Sequence, residues 1–262
     1  MASDLIGSFI LAIVQGITEW LPISSSGHLA LTEKLLGFEG GLLLQVALHF
    51  GTLMAVFVYF GKDITDILQD FLEGKWKSKN GKLALFLIVA TIPAGILGLI
   101  VKDYFDLYFL TLPVLAFGFA ITGVFLFIAS FYQIKKDNEL SYWKAFFIGL
   151  AQMVAIVPGI SRAGSTLSMG LLLGLKEKEA MRFSFLMAVP VILGANILVI
   201  GEQQLPSSFI WATLLCFIIA LGVLHLVYRY ILVNKRNLRW FALYCLLLAL
   251  ALGTWLIFLA IQ

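Results

Sequence analysis

Charge is scarce in this chain. Only 13% of its 262 residues are Asp, Glu, Lys or Arg, and 61% are hydrophobic. A water-soluble domain usually carries about 25% charged residues. One globular core cannot hide this surplus of apolar side chains, so the expected class is an integral membrane protein. Cysteine is nearly absent as well. Cys216 and Cys245 both lie inside apolar runs and read as small buried hydrophobes, which excludes a disulfide framework or a cysteine metal site. Ten-residue segments of alternating hydrophobicity are missing, which excludes an outer-membrane barrel and leaves an all-α fold. No basic stripe with interleaved aromatics is present, so nucleic acid is not an expected partner. The opening MASDLIGSF has no Lys or Arg. Without that charged leader region, the first segment is expected to stay in the mature protein.

What is present is long apolar runs. Six stretches can span roughly 30 Å of hydrocarbon at 1.5 Å per residue, near 41–60, 83–101, 109–132, 180–200, 209–229 and 240–260. Two others are interrupted. Residues 5–21 hold Gln15 and Glu19 and end at Pro22; residues 143–157 hold Gln152 and end at Pro158. Each leads into a Ser/Gly-rich break and then a short apolar helix, at 28–36 and 165–174. Both pairs read as re-entrant hairpins that enter and leave on one side. Irregular backbone at that depth is tolerated only when it is buried in protein or lines a polar cavity.

The cations support this reading. With two hairpins, fifteen Lys and Arg fall on one face, in the segments 61–82, 133–144, 176–182 and 229–239. The other face receives only Lys34 and Lys102, and Arg162 sits in the second break. Such asymmetry places the basic face in the cytoplasm and both termini outside. If either hairpin were a full span, the asymmetry would collapse. The Lys-rich 61–82 segment then reads as a solvated loop attracted to anionic lipid.

A shift of 137 residues superimposes the two breaks. Gln15 falls on Gln152, Ile23 on Ile160, Ser24 on Ser161, Gly27 on Gly164 and Gly37 on Gly174. The chain therefore reads as one membrane domain of two halves, 1–135 and 136–262. Each half is a hairpin (5–37 and 143–175) followed by three spans. An odd number of spans turns the second half upside down, so this is an inverted-topology internal repeat. In such a repeat the two breaks enter from opposite faces and can meet near the midplane.

The breaks hold the polar groups: Gln15, Glu19, Ser24, Ser25, Ser26, His28, Ser161, Arg162, Ser165, Thr166 and Ser168. A charge at that depth costs on the order of 2.5–3.5 kcal/mol, which points to a partner or a task. Arg162 offers a planar fork suited to phosphate. The backbone N–H groups of the Ser/Gly breaks suit an anion. Glu19 can trade protons with His28 or hold a divalent cation. Serine or histidine can accept a phosphoryl group if a base stands beside it. Arg162 can equally be a structural tie to Glu19, and His28 can simply satisfy a helix end. His49 reads as a packed or hydrogen-bonded core residue, and His225 as interfacial. Two function classes fit: a membrane enzyme acting on a phosphorylated substrate, or a transporter or flippase for a phosphorylated lipid or another anion.

At these residues the sequence resembles the bacterial undecaprenyl-diphosphate phosphatases, the bacitracin-resistance membrane phosphatases. The family's [E/Q]-x-x-x-E segment leading to SS-x-G-H reads QGITEWLPISSSGH here, and its PG-x-SRS-x-x-T reads PGISRAGST. Ala163 replaces the usual serine after the arginine, so a hydroxyl is missing there. Gln15 occupies the first acid position, where it can orient a ligand but not transfer a proton. The resemblance implies hydrolysis of undecaprenyl diphosphate to the monophosphate and inorganic phosphate at the outer face of the bacterial cytoplasmic membrane. The catalytic set it implies is Glu19, Ser25, His28 and Arg162, with Ser25 attacking and His28 as its base, or His28 attacking directly. Phosphate is expected at Ser24, Ser26, Gly27, Gly159, Ser161, Arg162, Gly164, Ser165 and Thr166. A divalent cation, Mg²⁺ or Ca²⁺, is expected on Glu19 and Gln15, and a homodimer is implied as well.

Overall fold

A computed structural model describes residues 2–38, 40–101, 111–132, 139–200 and 206–261. The described residues form eleven α-helices and no strand: α1 (Ala2–Thr18), α2 (Ser25–Leu36), α3 (Gly41–Tyr59), α4 (Gly61–Leu72), α5 (Lys79–Val101), α6 (Leu112–Phe131), α7 (Tyr142–Val154), α8 (Arg162–Leu172), α9 (Glu177–Ile200), α10 (Ser207–Leu226) and α11 (Leu238–Ile261). Six of these regions are long and apolar enough to cross a membrane: Gly41–Tyr59, Lys79–Val101, Leu112–Phe131, Glu177–Ile197, Phe209–Ile231 and Lys235–Ile261. They coincide with the six expected spans. Lys102, Lys135 and Lys136 of the charge count lie outside the described residues, as do the first two positions of the span expected at 109–132 and the boundary expected between the halves.

The remaining helices include two pairs, α1–α2 and α7–α8, each separated by a break. The second helix of each pair begins three residues earlier than expected, because a serine caps it. Ser24 Oγ accepts from Gly27 N at 3.3 Å, and Ser161 Oγ accepts from Gly164 N at 3.0 Å. Such a cap satisfies one of the orphan donors of a helix start. Both second helices end near a glycine with positive φ, Gly37 at 60° and Gly174 at 87°.

The 61–82 segment is a correction. It is no simple solvated loop: α4 fills its first half. Ile64, Ile67, Leu68 and Phe71 recur at helical spacing, Ile67 is buried, and the helix packs on α5. Arg182 on α9 grips Asp63 on α4 with two hydrogen bonds, 3.0 and 3.1 Å.

The packing interleaves the chain. α1 lies on α10 and α7 lies on α5, while α3 packs on α9 and α6 on α11. Where the breaks meet, glycine makes the approach feasible. A β-carbon on Gly27 would stand 3.0 Å from Gly159 Cα, and one on Gly118 of α6 would stand 2.4 Å from Pro158 O. The two breaks are therefore in backbone contact, seated against α6.

Candidate active site

Gln15 and Glu19 are one helical turn apart, so their side chains meet. Gln15 Nε2 donates to Glu19 Oε2 at 3.0 Å. The chain then turns, and Ser24 adopts φ 70°, the only positive φ on a non-glycine residue among the described ones. Strain of this kind is of order 1–3 kcal/mol and collects at functional sites. Immediately after it, Ser25 Oγ donates to Glu19 Oε2 at 2.6 Å.

The second break delivers Arg162. One guanidinium nitrogen donates to Glu19 Oε1 and the other to the Ser184 carbonyl at 3.3 Å. The guanidinium carbon also lies 5.6 Å from the ring centre of Trp20, which is itself fully buried. Glu19 is only 6% exposed. Without the guanidinium it would be an uncompensated buried charge, a loss of about 3–5 kcal/mol. Arg162 and Glu19, separated by 143 positions in sequence, thus form the centre of the site.

The expected pairing of Ser25 with His28 is not made; the Ser25 hydroxyl is directed at Glu19. His28 stands in its own corner. Its Nδ1 donates to the Ser24 carbonyl at 2.7 Å, and its Nε2 meets the Tyr244 hydroxyl at 2.6 Å. The ring is stacked on Tyr244 and edge-on to Phe119. Conversely, His49 belongs closer to the centre than expected. Its Nδ1 is fixed by the Gln45 carbonyl at 2.8 Å, and its Nε2 is 3.6 Å from Glu19 Oε2.

Most of the residues expected to bind phosphate are buried and tied into the frame of the two breaks. The amides of Gly27 and Gly164 are taken by the capping serines. Ser24 and Ser26 share their hydroxyls at 3.3 Å. Thr166 Oγ1 bonds the Arg162 carbonyl at 2.8 Å and the Ser184 hydroxyl at 2.6 Å. Thr122 on α6 pins the second break, donating to Gly159 O at 2.8 Å and accepting from Ser161 N at 2.9 Å. Ser165 lies at the wall of an apolar cavity of about 640 Å³ between α6, α7 and α8. The Ser168 hydroxyl is buried without a partner.

Gln15 Oε1 is also buried without a hydrogen-bond partner. It is an oxygen donor of the type a hard cation takes, but the amide turns its nitrogen to Glu19, so a cation shared with that carboxylate requires the amide to rotate. Among the described residues no group of three His, Cys, Asp or Glu converges. With that rotation the two side chains would offer oxygen to a Mg²⁺- or Ca²⁺-type ion that draws its other ligands from phosphate and water, not from a cage built by the protein alone.

A helical membrane protein with a buried carboxylate, joined to a serine hydroxyl and a guanidinium, is the class that fold and site define. Residues 8–251 match the family model described as bacitracin resistance protein BacA. A relative called undecaprenyl-diphosphatase 1, from Pseudoalteromonas translucida (strain TAC 125), is 39% identical over 95% of this chain and 97% of its own length. Undecaprenyl-diphosphatase from Thermosipho africanus (strain TCF52B) is 39% identical over 92% of this chain and 96% of its own. Undecaprenyl-diphosphatase 1 from Shouchella clausii (strain KSM-K16) is 35% identical over 94% and 95%. The chain belongs to the BacA family.

Three residues near the site escaped the sequence reading of function: Thr122, His49 and Tyr244. Thr122 and Tyr244 are isolated polar residues inside apolar spans, and His49 shares its span with Gln45. The available signal was Gln45 and His49 at i and i+4, which place two polar groups on one face of α3.

Proposed function

We propose that this chain hydrolyses undecaprenyl diphosphate to undecaprenyl phosphate and inorganic phosphate. The observation that carries the reading is the Ser25 hydroxyl hydrogen-bonded to Glu19 Oε2, with Arg162 holding the other carboxylate oxygen. That is a nucleophile beside a base that a third group orients. Ser25 Oγ attacks the terminal phosphorus while Glu19 accepts its proton. The bridging P–O bond breaks and the lipid monophosphate leaves. Water then attacks the phosphorus, one of its protons passes to Ser25 Oγ as the Oγ–P bond breaks to release phosphate, and the proton held by Glu19 goes to solvent. Arg162 stabilises charge on the transferring group, the main source of catalysis in phosphoryl transfer. Glu19 and Gln15 Oε1 would hold a divalent cation, which neutralises phosphate charge when bound.

The same reading has α1–α2 and α7–α8 as re-entrant hairpins within two inverted halves. At 11 to 17 residues these helices reach only about 16–26 Å, short of the hydrocarbon thickness. Reciprocal packing supports the repeat: the first helix of each pair lies on a span of the other half. The charge asymmetry supports termini and site facing outward across the cytoplasmic membrane. A transporter or flippase accounts less well for a serine hydroxyl held on a buried carboxylate, which binding an anion does not require.

The test is phosphate release from undecaprenyl diphosphate in detergent, with and without a chelator. The expected result is turnover that the chelator suppresses and that Ser25→Ala reduces by at least about 10³-fold, since nucleophile and base act as a unit. Full turnover in Ser25→Ala would remove the serine from the reaction.

A further inference from the structure

Both nitrogens of His28 are already engaged. The Ser24 carbonyl can only accept, so Nδ1 carries a hydrogen, and in the neutral ring Nε2 is the acceptor of the Tyr244 hydroxyl. The two bonds differ in how easily they are released. Ser24 is one turn before His28, and its carbonyl also takes the His28 backbone amide at 3.2 Å, so that bond is part of the helix start. Tyr244 sits on another helix and is 43% exposed. Its helix, α11, belongs to the least buried of the six spans. The Nδ1 bond is thus made within one helix turn to a carbonyl the helix holds in place, whereas the Tyr244 bond crosses to another helix and opens when the Tyr244 side chain moves.

We infer that Tyr244 is a latch: its hydroxyl covers His28 Nε2, and a phosphate oxygen of the lipid diphosphate displaces it there. On displacement Nε2 takes up a proton from the bulk solvent, and the imidazolium donates a hydrogen bond from it to the phosphate oxyanion, while Nδ1 keeps its bond to Ser24. Among the described residues the groups facing His28 are the Ser24 and Ile23 carbonyls, the Phe119 ring of α6 and Tyr244 of α11, with Cys245 next along α11. No carboxylate is among these groups, so a phosphate would meet no like charge from the described residues at the ring. This places Tyr244 as a positioning residue that sets the ease of substrate binding, and it rests on the phosphatase reading.

Tyr244→Phe keeps the ring stack and removes the hydroxyl. The bond that substrate must break is then absent, so KM for undecaprenyl diphosphate should fall about two- to tenfold, with kcat changing little. A merely structural tyrosine would give an unchanged or raised KM, and either result overturns the latch. A second measurement needs no turnover. Diethylpyrocarbonate acylates unprotonated imidazole nitrogens, and the three histidines of the chain can be separated by mass spectrometry. His28 should react at least about threefold faster in Tyr244→Phe, with His225 unchanged, because a net hydrogen bond of this size sets the scale. Equal rates overturn the latch. Absence of phosphate release from both proteins overturns the reading of function, and the acylation rates still decide whether Tyr244 covers Nε2.

Discussion

The two breaks share a frame and differ in what they carry. In both, a serine caps a short helix through the amide three residues on, and a left-handed glycine stands near the helix end. The first adds the strained Ser24, the Ser25 hydroxyl and, from the preceding helix, Glu19. The second adds Arg162 and sits firmly against α6, where Thr122 bonds both its sides. Strain and reactive groups thus gather in one break, anchoring and positive charge in the other. A site assembled this way can keep its guanidinium fixed while the segment that carries Ser25 adjusts.

The division can be tested from its largest effect downward. Arg162→Lys retains the charge but loses the fork that bonds Glu19 and Ser184 together. It should reduce kcat by about 10²–10³-fold in the phosphate-release assay; near-normal turnover would make the second break a scaffold only. Thr122→Val leaves the Ser161 amide and the Gly159 carbonyl without their bond. It should lower stability by about 1–3 kcal/mol, read as a drop in Tm in detergent, with a smaller loss of activity. An unchanged Tm would deny that the second break is the anchored one. The smallest effect compares the caps. Ser161→Gly should cost a few tenths of a kcal/mol. Ser24→Gly loses a cap but relieves the positive φ, so its Tm should hold or rise. If both glycine variants fell equally, the strain at Ser24 would be of no account.

Much of this was readable in advance, for a physical reason. Charge is expensive in hydrocarbon, so Glu19, His28 and Arg162 stood out against their surroundings, and the 137-residue shift aligned their frames. The six spans were equally visible, since length and hydropathy alone define them. What stayed hidden depends on the third dimension. Thr122 and Tyr244 look like ordinary residues of apolar helices until packing brings them to Gly159 and His28. His49 read as core because its spacing to Glu19 carries no pattern. The helix α4 was obscured by five nearby lysines, although its apolar residues already recurred at helical intervals.

The contact between Gly27 and Gly159 has a consequence for how such a chain can vary. Where the two segments touch, neither has a side chain to trim, and beside Gly27 only the Phe119 ring of α6, 2.6 Å from where a β-carbon would stand, could give way. A larger residue at one point cannot be accommodated by shrinking its opposite number, which is already as small as an amino acid can be. Drift at this junction is therefore confined to movements that both segments make in concert, and grafting one of them into another relative without its mate should leave the pair misfitted.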